Sequence, residues 1–521
     1  MSRLRKLLQS HPDKELSSYI CTGLTRGFDI GFTGPRRTIV AKNLSSAAEN
    51  SKYITDYLHA CCERRETAGP FQVPPFPVYQ CSGIGSVPKK NGKLRIIHHL
   101  SAPEGTSVND FISRDDFSLS YITIDDAVKA IMEYGVGALL TKLDIRNAFR
   151  LIPVRPEDRP LLGICWEGLY YFESVLPFGL RSSPYIFDRV ASAIEWAIKT
   201  NCSIKHLMHY LDDYLHVSPP SHSLATKYKN IIVSAFEYLS VPLASEKLEG
   251  PVTSLTFLGI TLDTVRMEAR LPPEKLTELR LLTEELATAE VTTKRKFEHF
   301  LGKLSFASSV IIPGRTFTRR LWDLNRRFGD AKPFYRITLS SEALKDIKWW
   351  QHLLSDWNGK SFLLYNDYTL STDLGLCTDA SGTIGWGAFF GDELRWIQGK
   401  WEPDQADKSI TYKELYALAT ACATWGSNWA RMRILIHCDN QAVVDCIKSG
   451  TSHSPAVMTL LRALFLVCAK GGFTISAVHV PGKVNTVADS LSRFNMQVFR
   501  RLVPAAKETP DTALPLPFEA V

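Results

Sequence analysis

The chain has 521 residues, with 61 Lys and Arg against 54 Asp and Glu, a formal charge of +7 and 45% hydrophobic residues. That composition excludes a disordered or fibrous protein, the length calls for more than one domain, and the mild basicity fits a polyanionic partner. The eleven cysteines include no Cys-x-x-Cys pair, against a zinc ribbon or disulfide framework; the opening MSRLRKLLQSHPDKEL and the short apolar run Ala456–Cys468, broken by Arg462, predict neither a signal peptide nor a membrane span.

In chain order, residues 1–77 read as polar helices, interrupted at Gly27–Phe32 and ending in a proline-rich linker, Gly69–Tyr79, with no visible chemistry. Ile84–Ser101 alternates apolar residues around a Lys89–Lys90–Asn91–Gly92–Lys93 tip, a hairpin with a basic turn followed by Arg95. A solvated turn would explain those lysines, so their meaning depends on what lies opposite. In ALLTKLDIRNAFRLIPV an apolar strand ends at Asp144, where an acid is costly unless paired or metal-bound, and Phe149 follows in a partly helical turn. Tyr170–Ile198 runs from a strand through a Pro/Gly loop into a long helix started by Ser182 or Ser183 and Pro184. In HYLDDYLHV, Asp212 and Asp213 sit at the reversal between two alternating strands. The tip lacks the Gly or Asn that a tight turn favours, and two carboxylates held between Tyr210 and Tyr214 repel unless a cation neutralises them.

In this order the strings LDIRNAF, LPFGLRSSP and YLDDYLHV, followed by ASEKLEG and TFLGITLD, resemble the reverse transcriptase family over about residues 78–263. The resemblance implies that Asp144 and Asp212 hold two Mg²⁺ ions, with Mn²⁺ as a substitute and Asp213 in support. It places Lys247 near the pyrophosphate, and Lys89, Lys90 and Arg95 as a clamp on the triphosphate. Phe149 falls under the sugar of the incoming dNTP, with Phe178 and Gly179 on the nucleotide side. Two departures touch those nucleotide contacts. His98–His99–Leu100–Ser101 stands where retroviral relatives carry an acid, and Phe178 where they carry Gln.

Residues 264–370 carry helix signals, with Phe297, Phe300, Leu301 and Leu304 at helical spacing behind Thr292 and Thr293. Basic residues from Lys294 to Arg327 face few local acids in the sequence, which in a polymerase thumb favours contact with a phosphate backbone. Further on, Asp379 lies on the first of two paired strands, Glu414 at the edge of an amphipathic helix, Asp439 at a strand end and Asp489 on a helix. That order, with HVPGKVNTVADSLSR, resembles the ribonuclease H family over about residues 371–497. It implies that these four carboxylates hold two Mg²⁺ ions for attack of water on RNA, with His479, a mobile-loop histidine in the family, in proton transfer. The proline-containing tail, residues 498–521, is expected to be flexible.

The expected fold is α+β and multidomain: a right-hand polymerase with fingers and palm at 78–263 and a thumb or connection at 264–370, followed by an α/β ribonuclease H-like domain. The implied activity is RNA-directed DNA synthesis with degradation of the RNA strand. The implied partners are an RNA template, a DNA primer, dNTPs and the RNA–DNA hybrid, in an intracellular setting, cytoplasmic and/or nuclear. GPFQVPPF, SVPKKNGKLRIIHHLSAPEGTSVND and LGKLSFASSVIIPGRTF are similar to the DIRS-like retrotransposons, which would add an element-encoded recombinase and a Gag-like protein as partners. A gypsy-type or pararetroviral polymerase, and a domesticated copy that only binds nucleic acid, stay open as alternatives.

Overall fold

Leu139–Asp144 and Asp213–Ser218 are buried along nearly their whole length and form the central pair of a four-stranded antiparallel sheet, with the alternating strand His206–Tyr210 at its edge. Its order is Glu249–Val252, Leu139–Asp144, Asp213–Ser218, His206–Tyr210. This computed structural model describes residues 2–88, 92, 94–311, 314, 316–329, 331–356, 360–362, 368–480 and 485–518. The chain divides into two compact units, residues 1–255 and 256–521.

In the first unit the helix Ser183–Cys202 starts at Ser182 with Pro184 in its first turn, and buries Ile186, Val190, Ile194 and Ala197 at helical spacing. The Tyr214 hydroxyl donates to the Ala191 carbonyl (3.1 Å), tying the sheet to this helix. The N-terminal helices join the same core through Leu4, Leu8, Leu16 and Ile20, beside Leu143, Leu207 and Tyr214. The hairpin Gly83–Pro88 and Leu94–His99 pairs Val87 with Arg95, as its alternation predicts. Lys89 and Lys90 at its tip lie outside the described residues.

The proline-rich stretch is not a linker. Thr67–Phe71 pairs with Leu169–Glu173, and Gln80–Cys81 joins the same five-stranded sheet. Proline is tolerated there because Thr67–Phe71 is an edge strand, where a missing N–H costs no ladder bond. Gly69 has φ +138°, and a Cβ there would stand 2.8 Å from the Tyr170 carbonyl oxygen.

In the second unit Thr293 caps the helix Lys294–Ala307 by accepting the Lys296 N–H, and Phe297, Phe300, Leu301 and Leu304 are buried. Tertiary folding supplies the acids that the local sequence lacks. Lys303 pairs with Glu278 (2.7 Å), Arg320 with Glu342 (2.6 Å) and Lys296 with Glu285. Arg462, 1% exposed, bonds Asp346 (2.9 Å) and Glu342 (3.1 Å) and joins the helix Ser341–Asp356 to the helix Pro455–Gly471. The C-terminal part has an antiparallel sheet, Leu376–Ala380, Gly385–Phe390 and Arg395–Lys400, and a parallel one of Tyr368–Leu370, Arg433–Cys438 and Thr474–His479. The helix Ile410–Trp425 buries Leu415, Leu418, Ala419 and Cys422, the stripe its sequence predicts.

The described part of the tail, to residue 518, is bonded to the domain that precedes it. The Lys507 N–H donates to the Leu394 carbonyl and the Asp511 N–H to the Trp396 carbonyl, both 2.9 Å, so the tail runs along the strand Arg395–Lys400. The Asp511 carboxylate accepts the Trp425 indole N–H (2.9 Å) and pairs with Arg395. Prolines 504, 510, 515 and 517 forbid a helix but leave the non-proline donors free to bond. Asp511→Ala should therefore cost on the order of 1–3 kcal/mol, leaving the buried Trp425 indole N–H without its acceptor and Arg395 with Glu393 alone. Denaturant titration measures this, and an unchanged midpoint would make the tail a spectator.

Candidate active sites

Asp144 is the last residue of its strand and Asp213 the first of the neighbouring one, and the two face each other in register. The reversal itself is Leu211–Asp212, so only Asp212 occupies the turn and Asp213 stands one step inside the sheet, opposite Tyr210 as well. Leu211 has φ +53°, a left-handed conformation that is costly for a branched side chain. Packing of Leu211 against the hydrophobic core of the first unit holds the turn in place of the missing glycine. The Ile145 N–H donates to the Asp212 carbonyl (2.9 Å), which locks the turn to the end of the Asp144 strand.

Burial pushes the Asp213 carboxyl up to about 6, and the charges of Asp212 and Asp144 add to the shift. Asp212 is raised by burial first and then by Asp144. Lys247 answers this negative charge. Its Nζ lies 2.7 Å from Asp144 Oδ2, and that hydrogen bond raises its own pKa. The short turn Ser245–Lys247 is held by the Ala244 N–H on the Asp144 carbonyl and the Arg146 N–H on the Pro242 carbonyl, both 2.9 Å.

These groups open on a cleft of about 530 Å³ whose lining includes Arg95, Asp144, Arg146, Phe178, Asp212 and Lys247. Phe178 is 53% exposed. Phe149 stands against it at 5.0 Å between ring centres and against Phe187 at 5.6 Å. Gly179 serves the turn: φ is +96°, and a Cβ would meet the His98 carbonyl oxygen at 2.6 Å. Buried Asn109 fixes that loop, donating to the Gly179 carbonyl and accepting the Arg181 N–H, both at 2.8 Å.

Four features escaped the sequence reading. Asn109 lies in an ordinary-looking loop with no motif. Arg150, beside Phe149, is buried and bonds Glu173 (2.8 Å) and Glu66 (3.3 Å), while Arg64 holds the far side of Glu66 (2.9 Å). Tyr53 and Tyr57 also line the cleft, so residues 1–77 do contribute to it. Only the pairing of distant strands reveals these roles.

The second acid cluster forms from four elements. Asp379 faces Gly387 on the Leu376–Ala380 strand, and the hydroxyl of Ser492 donates to its carboxylate. Glu414 lies early in the helix capped by Ser409 and accepts the Ala380 N–H. Burial pushes Glu414 up to about 8, with Asp379 and Asp439 adding to the shift. Asp379 is raised by burial, opposed by the Ser492 hydrogen bond and reinforced by Asp489 and Asp439. Asp439 directly follows the strand Arg433–Cys438, and Asn440 then caps the next helix. Asp439 is exposed, and Asp489, half-buried, pairs with Arg493 (2.7 Å). His479 is the exposed last residue of the strand Thr474–His479, with Nε2 3.2 Å from the Asp439 carbonyl oxygen, because pairing with Cys438 extends the strand to it. Residues 481–484 of the loop beyond it lie outside the described residues.

Among the described residues no three His, Cys, Asp or Glu side chains converge tightly enough to hold an ion as they stand. The donor sets nevertheless suit hard divalent cations. Both clusters offer carboxylate oxygens, and burial raises Asp212 and Asp213 in one and Asp379 and Glu414 in the other, a cost that a cation relieves.

Residues 87–262 match the family model described as reverse transcriptase (RNA-dependent DNA polymerase). The chain is 22% identical over 415 residues to the genome polyprotein of Petunia vein clearing virus (isolate Shepherd), covering 77% of this chain and 17% of that polyprotein. It is 22% identical over 442 residues to the transposon Tf2-3 polyprotein of Schizosaccharomyces pombe (strain 972 / ATCC 24843), covering 82% of this chain and 30% of that one. It therefore spans less than a third of either relative. Among solved structures, it resembles the foamy viral protease-reverse transcriptase dRH in complex with double-stranded DNA (TM-score 0.51, 13% identity, 92% of this chain and 81% of that one). The same viral protein bound to an RNA/DNA hybrid gives a TM-score of 0.50 at 14% identity, covering 98% of this chain and 64% of that one. The shared fold is multidomain and mixed α and β, consistent with a polymerase followed by a ribonuclease H-like domain.

The raised Asp213 generates a stability test. An acid whose folded pKa exceeds its unfolded one weakens the fold above that pKa, so the loss is present at pH 7 and disappears as pH falls below about 6. Asp213→Asn should raise stability at pH 7 in chelator by on the order of 1–2 kcal/mol, with the advantage vanishing near pH 4. A variant less stable than wild type at pH 7 would mean that Asp213 is not under repulsion.

Proposed function

We propose that this chain is an RNA-directed DNA polymerase that also carries a ribonuclease H centre, copying retroelement RNA into DNA and removing the RNA strand. The observation that carries the reading is the register of Asp144 against Asp213, with Asp212 in the adjoining turn, at the floor of a cleft rimmed by Arg95, Arg146 and Lys247. Asp144 and Asp212 would hold Mg²⁺, or Mn²⁺ in its place, with Asp213 beside them. Bound there, the ions supply Lewis acidity and neutralise phosphate charge.

The chain's own residues do the rest. Arg95 and Arg146 present guanidinium donors to a triphosphate entering the cleft, and Lys247 offers an ammonium beside the reacting carboxylates. Phe178, backed by Phe149, gives the nucleotide a flat apolar wall. In the second centre Asp379, Glu414, Asp439 and Asp489 would hold the divalent ions, and His479 is accessible to pass a proton to a departing oxygen. An RNA template, a DNA primer, dNTPs and the hybrid are the corresponding substrates. The strings similar to DIRS-like elements support that subfamily, with a recombinase and a Gag-like protein as element-encoded partners. The similarity to a viral genome polyprotein keeps the pararetroviral reading as the alternative.

Separate centres give separable losses. Asp212→Asn should abolish primer extension and leave hybrid cleavage, whereas Asp379→Asn or Glu414→Gln should do the reverse. Each loss should reach about a hundredfold or more, several kcal/mol of transition-state stabilisation. Assays of extension and of RNA cleavage on the same preparations decide the point; Asp212→Asn extending within about tenfold of wild type would remove it from the site.

Sugar choice is the second test. Phe149 is wedged between Phe178 and Phe187, so its ring cannot retreat from a 2′-hydroxyl without overpacking, at roughly 1–3 kcal/mol. Phe149→Val should relax selection of dNTP over rNTP by about tenfold or more while deoxynucleotide incorporation stays measurable. Single-nucleotide incorporation gives the ratio of specificity constants, and an unchanged ratio in an active variant would return Phe149 to the core.

A further inference from the structure

Lys413 precedes Glu414 in the first turn of its helix and is only 2% exposed. An ammonium is expensive to bury unless its protons find acceptors. Its Nζ donates to the carbonyls of Gly382 and Ala406, both at 2.6 Å, and lies 5.4 Å from the centre of the Trp401 ring. The acceptors matter because of where they are. The residues directly after Asp379 are each held by a different group: the Ala380 N–H by the Glu414 carboxylate, the Ser381 carbonyl by the Trp401 indole N–H (2.8 Å), and the Gly382 carbonyl by Lys413. On the other side of Asp379, the Thr378 carbonyl accepts from Asn485 (2.8 Å).

We propose that Lys413, seconded by Trp401, is a positioning residue: it locks the Ala380–Gly382 turn to the helix bearing Glu414 and so sets how Asp379 and Glu414 together receive a divalent cation. The role rests on the nuclease reading above. A methionine would fill the same space without desolvating a charge, but it would leave two carbonyls without their donor and free the turn on which Asp379 depends. Outer contacts of this kind orient ligands without touching the ion.

The test uses the full chain carrying Asp144→Asn and Asp212→Asn, so that Mn²⁺ titrated by calorimetry reports on the nuclease centre. Lys413→Met should weaken Mn²⁺ binding about tenfold and lower kcat for hybrid cleavage at least as much, with KM for the hybrid within about twofold. Lys413→Arg, which keeps charge and donors, should retain most of both. Trp401→Phe should give a smaller loss, and the double variant with Lys413→Met should be no worse than Lys413→Met alone, because both act on one turn. If Lys413→Met does not fold, the arginine and Trp401→Phe variants carry the measurement. Wild-type Mn²⁺ affinity and kcat in folded Lys413→Met, with only a lower thermal midpoint, would overturn the proposal. If the parent chain binds Mn²⁺ but cuts no hybrid, the nuclease reading fails, while weaker binding in Lys413→Met would still uphold the positioning role.

Discussion

The pairing of Asp213 with Asp144 across two antiparallel strands is the constraint on which the first carboxylate cluster depends. Side chains alternate along a strand, so a slip of one residue would send one carboxylate to the far face and bury an unpaired acid in the palm core. The register is held from both ends. Ile145 and Asp212 share a hydrogen bond at the turn, and Tyr214 is buried one residue further in with its hydroxyl on the helix behind. The strained Leu211 turn follows from this: a relaxed hairpin loop would have a glycine, and the chain instead keeps a leucine that anchors the turn in the core.

Buried charge is treated in two ways. Arg150 with Glu66 and Glu173, and Arg462 with Asp346 and Glu342, are internally neutralised and tie elements together. Removing one partner of such a group leaves an uncompensated charge, so these clusters fix geometry more than they add stability. The two carboxylate clusters are different. Asp213 near 6 and Glu414 near 8 are raised by burial and then by neighbouring carboxylates, whereas Asp346, also raised to about 6 by burial, has the Arg462 guanidinium bonded to it. That contrast, more than the count of acids, marks them as places for exogenous positive charge.

The cleft wall shows how a loop without regular structure is made rigid. Phe178 is presented to solvent because Gly179 can turn where a Cβ would strike the His98 carbonyl, and because Asn109 satisfies backbone groups on both sides of the bend. The buried Arg150 network anchors the neighbouring turn that carries Phe149. Two aromatic rings at 5.0 Å are thereby held on a surface built from three distant segments.

The sequence by itself determined which carboxylates stand out, the strands and helices that bear them, and the order of the two clusters. These are local facts: a strand that ends in an acid, a cap followed by an apolar stripe, a pair of adjacent aspartates. Tertiary structure alone decided what distant residues do to one another. The proline-rich 69–79 segment reads as a linker until the Leu169–Glu173 strand pairs with it, and the 498–521 tail reads as mobile until Trp425 and Arg395 bond Asp511. Basic residues of the 294–327 region read as unopposed until folding brings Glu278, Glu285 and Glu342 to them. Asn109, Arg150 and Lys413 carry no motif at all, because their partners lie 7 to 84 residues away and hydrogen-bond satisfaction has no periodicity in sequence.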